Sequence, residues 1–402
     1  MRRPAHRARA RSTILALALV AGACSGPPAP TITAQATGST ASPSGTDAAA
    51  QPSATSDPRA ACVRSLARTM TRAERIGQLF MVGLDSGASR SAIDAEVTAY
   101  HVGGVILLGG WSRSGAVRAA TDHLNALTRG PRLFLAADQE GGAVQQLTGA
   151  GFSTIPAARE QAAVAGGLRR RAADWGSELA AVGINVNLAP VADTVPAAIG
   201  TANGPIGQFG RQYGSTPSAV TPPMLAFLQG MHDAGIMTSV KHFPGIGRIR
   251  GNTDTSADGI TDPVTTTRDP HLEPFAAGID GGTDFVMVSS ARYPKLSAEQ
   301  ALFSSAIVTD LLREQLGFAG VVITDDVGAA DALQAVPIAD RALRFLAAGG
   351  DMILTARSAD IAIMTAAVAQ RVTRDPDFAV QVDAALERIL TLKASRGLVA
   401  CD

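Results

Sequence analysis

Four short apolar runs in this chain each end in ionisable side chains. Asp138-Gln139-Glu140 follows Leu133–Ala137, and Asp193 closes the stretch that opens at Ile184. Lys241-His242 follows Ile236–Val240, and Asp325-Asp326 follows Gly320–Thr324. Carboxylates beside a lysine and a histidine can accept from and donate to several hydroxyls at once, which suits a polyhydroxylated ligand. A carboxylate held against such a ligand can also attack carbon, the chemistry of retaining glycoside hydrolysis. A single acid in such a place reads as a helix cap or a loop ion pair. Four ends that share the pattern read as a site, while the amino ends of the same runs look bland.

The elements that must position these groups are strands. Candidate strands are Gln78–Leu84, Gly103–Leu108, Leu133–Ala137, Ile184–Ala189, Ile236–Val240, Phe285–Ser289, Gly320–Thr324 and Asp351–Thr355. Each is nearly continuously apolar, as strands buried on both faces of a parallel sheet are. Helical stretches such as Arg113–Thr128, Leu168–Val182, Ser218–Ala234 and Thr309–Gln315 lie between them. Eight strands with helices between predict an α/β fold, a (β/α)8 TIM-type barrel forming a single catalytic domain, ahead of a doubly wound open sheet. Both architectures place their chemistry at the carboxyl ends of strands. Pro244-Gly245, after Lys241-His242, forces the backbone to turn out there. The closing helix, near Val380 to Arg396, puts Val382, Leu386, Ile389 and Leu390 on one face and is expected to seal the barrel.

Composition narrows the partners. The 402 residues are 46% hydrophobic and carry 35 basic against 35 acidic side chains, so nothing electrostatic favours nucleic acid. Aromatics make up 4%, too few for a base-stacking platform. The six histidines and three cysteines show no ligand spacing, so no metal is expected, and the glycine pairs around Gly103 and Gly109 make no dinucleotide fingerprint. No cofactor is implied. Trp111 and Trp175 read as packing residues, with Trp111 near a strand end.

The amino terminus reads as a targeting signal. Five arginines precede the short apolar run Thr13–Val20, then Ala21-Gly22-Ala23-Cys24 resembles the bacterial lipoprotein box. Residues 1–23 are thus expected to be a signal peptide, and Cys24 a lipidation site. Residues 24–58, rich in Ser, Pro, Ala and Thr, are expected to be a tether, and 59–402 the folded domain. The expected location is the outer side of a cell membrane, lipid-anchored and facing the wall. Export favours a disulfide between Cys62 and Cys401.

The motifs Asp138–Gly142, Asn187–Asp193, Arg211-Gln212-Tyr213-Gly214, Lys241–Gly245, Leu316–Asp326 and Ala348–Met352 resemble, in order, those of glycoside hydrolase family 3, in its single-domain β-N-acetylglucosaminidase (β-hexosaminidase) branch. The resemblance covers about residues 65–398. It implies that Asp325 is the catalytic nucleophile, that Asp138 binds sugar hydroxyls, and that Arg211, Lys241 and His242 hold the saccharide. Asp326 is expected to cap a loop or helix, and Glu140 to be structural. In this branch a histidine, oriented by an aspartate two residues earlier on the loop after the fifth strand, serves as acid/base. Here Asn252 takes the aspartate position and Asp254 the histidine position. Ile246 and Ser290 stand where the branch often carries histidines, and Ala143 and Gln146 replace two arginines.

The resemblance therefore implies a monomeric glycosidase that releases terminal β-linked N-acetylglucosamine from peptidoglycan fragments or related glycans, through a glycosyl-enzyme intermediate on Asp325. Asp254 would be the acid/base. The alternative is a catalytically impaired barrel that binds glycans, or another partner at the wall, as a lipoprotein.

Overall fold

The computed structural model describes residues 57–401. The expected signal peptide, the Cys24 lipidation site and the tether up to residue 56 lie outside the described residues. Eight parallel strands form one sheet: β1 Phe80–Asp85, β2 Gly104–Leu108, β3 Phe134–Ala137, β4 Val186–Asn187, β5 Met237–Phe243, β6 Phe285–Val288, β7 Val321–Thr324 and β8 Ile353–Thr355. Each pairs with its neighbours in the chain, and β1 also pairs with β8. A parallel bridge from Ile323 to Met352, with Thr324 N donating to Met352 O at 3.0 Å, joins β7 to β8 and closes the barrel.

The strands follow from their composition. Nearly every strand residue is buried, because the barrel interior takes one face and the ring of helices takes the other. Two strands depart from expectation. β4 is two residues long because Asn185 lends its side chain to the ladder, its Oδ1 accepting from Leu135 N at 2.9 Å. Pro190, which has no N–H, then ends the run. β5 runs three residues past Val240, so Lys241 and His242 are strand residues. Its pairing with β6 slips one residue there: Met287 faces Lys241, while Val288 faces Phe243. His242 is the extra residue of a bulge, and a bulge re-aims side chains.

Helices cover the outside. Leu168–Ala181 packs on Pro217–Asp233, with Trp175 against Phe227 at 6.2 Å between ring centres. Gly230 permits that approach, since a Cβ there would lie 2.2 Å from Arg169 O. Helix Pro58–Thr69 begins at the last residue of the expected tether, capped by Asp57, whose Oδ1 accepts from Arg59 N at 3.0 Å. Helix Pro376–Ser395 buries Val382, Leu386, Ile389 and Leu390 as its periodicity predicts. Cys62 and Cys401 are bonded, with Cα atoms 5.6 Å apart. Among the described residues no helix is long and apolar enough to cross a membrane.

The amino ends of the strands are not bland. Asp284, ahead of β6, accepts from Thr238 N at 2.9 Å and pairs with His232 and Arg396. Asp351, ahead of β8, accepts from Val322 N at 2.7 Å and pairs with Arg313 and Arg388. Lys393 is wholly buried, donating to Gln78 Oε1 at 2.6 Å and Gly103 O at 2.9 Å. These charges tie strand starts to the outer helices. The sequence does not show them because their partners stand far away along the chain.

Candidate active site

The bulge in β5 turns both Lys241 and His242 into the carboxyl-terminal mouth of the barrel. Lys241 Nζ lies 2.5 Å from Asp138 Oδ1 and 2.7 Å from Glu140 Oε1, just past β3. Arg211 grips Glu140 with two nitrogens, Nε at 2.9 Å and Nη2 at 2.7 Å. Burial by itself would raise the Glu140 carboxyl, but the Arg211 and Lys241 charges prevail and hold it at about 2. Burial likewise opposes charge on Lys241, and the facing carboxylates of Asp138 and Glu140 nonetheless raise its pKa. Arg211 is raised in the same way, mainly by Glu140 against its burial. Glu140 is thus the buried anion that lets two cations stay charged at the mouth of the barrel. Asp138 keeps the most surface of the four, 21% of its side chain, and faces the opening.

Asp193 is the pivot of the other half. Its Oδ2 accepts from His242 Nδ1 at 2.8 Å and from His242 N at 3.2 Å, and its Oδ1 accepts from Ile246 N at 2.7 Å. A carboxylate only accepts, so Nδ1 carries a hydrogen, while Nε2 lies 3.5 Å from Arg211 Nη2. One fully buried side chain therefore orients the histidine at the end of β5 and starts the following loop. Asp193 was quoted within a sequence motif, but its role was not legible because its partners lie 49 and 53 residues away.

That loop carries Asp254. Its root is pinned by Arg248, which donates to Asp269 at 2.9 Å through both terminal nitrogens and to Thr265 Oγ1 at 2.8 Å. Its tip touches the segment after β7: Asp331 N donates to Asp254 O at 3.2 Å, and Ala332 N to Thr253 O at 3.1 Å. Asn252 accepts from Asp254 N at 3.0 Å through Oδ1. Asp254 presents surface to solvent, yet protein packed around the mouth strips water from its carboxyl. That desolvation, then the negative charge of Asp325, pushes Asp254 up to about 6 against the pull of His242 and Arg211.

Asp325 follows β7 directly, half-buried, with its N–H on Val288 O at 3.2 Å. Asp326 turns away and caps backbone, its Oδ1 accepting from Gly328 N at 2.8 Å and Ala356 N at 2.9 Å. Burial raises its pKa against those bonds. Ser290 is buried with no partner for its Oγ among the described residues, and so is the Trp111 indole nitrogen. Gln146 accepts from Gly110 N at 3.2 Å, and Ala143 is exposed. Among the described residues no cluster of His, Cys, Asp and Glu could hold a metal.

The model of the glycosyl hydrolase family 3 N-terminal domain matches residues 71–392. The chain belongs to glycoside hydrolase family 3. Within that family it falls in the β-hexosaminidase branch. A β-hexosaminidase of Xanthomonas axonopodis pv. citri (strain 306) is 35% identical over 266 residues, covering 63% of this chain and 76% of that protein. A solved β-N-acetylhexosaminidase from Beutenbergia cavernae DSM 12333 is 46% identical, with a TM-score of 0.79 over 82% of this chain and 99% of that one. A family 3 β-N-acetylglucosaminidase from Paenibacillus sp. str. FPU-7 is 28% identical, with a TM-score of 0.72 over 82% of this chain and 63% of that one. The family 3 barrel accounts for the eight strands and for the chemistry gathered at their carboxyl ends.

Proposed function

We propose that this family 3 barrel is a retaining β-N-acetylhexosaminidase that removes terminal β-linked N-acetylglucosamine from cell-wall-derived or related glycans. Lys241, Arg211, His242 and Asp138 would hold the sugar. The Asp325 carboxylate attacks the anomeric carbon, its oxygen forming a bond as the glycosidic C–O bond breaks. Asp254, protonated, passes its proton to the departing oxygen. It then takes a proton from the water that displaces Asp325, and both carboxyls return to their starting states. What supports this reading is the placement of Asp254, whose loop bonds the segment that follows Asp325 and whose carboxyl is pushed up to about 6 by desolvation and by the charge of Asp325. Carboxyl pairs of this kind divide acid from nucleophile in glycosidases. The proposed setting is a monomer anchored through lipidated Cys24 outside the membrane, with a glycan as its partner and no cofactor.

A second reading has one observation in its favour. Asn252 bonds the backbone of Asp254, and no aspartate there assists the acid. On that reading the barrel binds glycans and turns them over poorly. Hydrolysis of aryl N-acetyl-β-glucosaminides, beside an Asp325→Ala variant, separates the two. Turnover lost in the variant supports the enzyme; glycan binding with no turnover by the parent protein supports the binder.

A further inference from the structure

We propose that Asn203 is a positioning residue for the acid/base step, holding the Asp254 loop against the segment that carries Arg211. The proposal rests on the assignment of Asp254 as the acid.

The Asp254 carboxyl makes no hydrogen bond with any described residue. Its place is therefore set by the backbone beneath it, and the question is what fixes that backbone. On one side the answer is Asn203, which has no exposed surface. Its Nδ2 donates to Ile246 O at 2.8 Å and to Ile249 O at 2.7 Å, both on the acid loop. Its Oδ1 accepts from Ile206 N at 3.0 Å and Gly207 N at 2.7 Å, on the segment that leads to Arg211. All four hydrogen-bonding valences of the amide are used, two on each piece of chain. Beside it, Gly204 N donates to Arg250 O at 3.1 Å.

On the other side, the bonds of Thr253 O and Asp254 O to Ala332 N and Asp331 N attach the loop to the chain that leaves the nucleophile strand. The acid loop is thus held between the ligand-binding arginine and the nucleophile. Arg211 N itself donates to Ile206 O at 3.2 Å, so the turn that Asn203 braces is also the turn that aims Arg211. Chemically, only an asparagine fills this position. Aspartate would present oxygens to two carbonyls, and an aliphatic residue would leave two carbonyls and two N–H groups buried without partners. A loop freed at this point lets the acid drift, and proton transfer fails on displacements well under an ångström in catalytic sites.

The test compares the parent protein with Asn203→Ala, Asn203→Asp and Asp254→Ala on dinitrophenyl and phenyl N-acetyl-β-glucosaminides. The first leaving group departs without a proton and the second needs one. Asn203→Asp keeps the acceptors for Ile206 and Gly207 while removing both donors to the acid loop. Both Asn203 variants are expected to lower kcat/KM on the phenyl substrate by roughly 30-fold or more, part of the ~100-fold to ~10,000-fold that a general acid supplies. On the dinitrophenyl substrate kcat/KM, which reports only the bond-breaking step, is expected to fall by less than about threefold, in the same pattern as Asp254→Ala. Equal losses on both substrates, or failure of both variants to fold, would make Asn203 a structural residue and overturn the proposal. If Asp254→Ala itself shows no dependence on leaving group, the assignment of the acid fails instead. A leaving-group effect in Asp254→Ala without one in the Asn203 variants refutes the role of Asn203 alone.

Discussion

Asp254 stands at the mouth of the barrel, where desolvation, and after it the negative charge of Asp325, sets the pH behaviour. An acid must be protonated to act, and Asp254 holds its proton below about 6. We expect kcat/KM on a phenyl glucosaminide to fall as pH rises through about 6, and that limb to vanish in Asp254→Asn, where the remaining rate no longer tracks it. A pH–rate profile checks both. Glu140 supports a different expectation. Its carboxyl is held at about 2 by two cations, against an ordinary value of 4.5. A depressed carboxyl stabilises the fold above its unfolded pKa, so this contribution is fully present above pH 4.5 and is lost as pH falls toward about 2. Glu140→Gln should cost about 3–5 kcal/mol, seen as a lower urea midpoint at neutral pH, because Arg211 and Lys241 stay buried with one anion fewer. Asp138, Lys241, His242 and Asp325 carried a sequence signal at a strand end, and Arg211 and Asp254 carried one through their place in a motif and in the loop after β5. Glu140 was read as structural, as its ion pairs make it, but Asp193 and Asn203 did not reveal their roles, because hydrogen bonds across more than 40 residues leave no local pattern.

At the scale of elements, apolar runs located all eight strands to within a few residues, since burial on both faces leaves little choice of side chain. What they did not reveal was the bulge in β5, which depends on how β6 pairs with it. Nor did they reveal the charges beneath the barrel. Lys393 shows why such a charge matters. It is sealed among Gln78, Gly103 and the Phe134 ring with no acid beside it, and burial lowers its pKa to about 7 from 10.5. In that window the unfolded chain holds a proton that the folded chain has released. Stability should therefore rise as pH climbs from about 7 toward 10.5. Urea titrations across this range should show the rise in the parent protein and its loss in Lys393→Met.

At the scale of the molecule, the family 3 barrel was legible because its motifs fall at the ends of strands that periodicity finds independently. The disulfide followed from the positions of two cysteines near the ends of the folded region. Its span is long, 339 residues, and the restraint on the unfolded chain grows with span. Cys62→Ser with Cys401→Ser should lower stability by about 2–4 kcal/mol, measured as a drop in Tm by calorimetry, without changing kcat.

The same bond has a mechanical consequence. Cys62 and Cys401 join helix Pro58–Thr69 to the end of the chain, so a pull between the two termini enters at one sulfur and leaves at the other. The residues between them form a slack loop on that line of tension. Stretching this protein by its ends would load a single covalent bond and leave the barrel at rest.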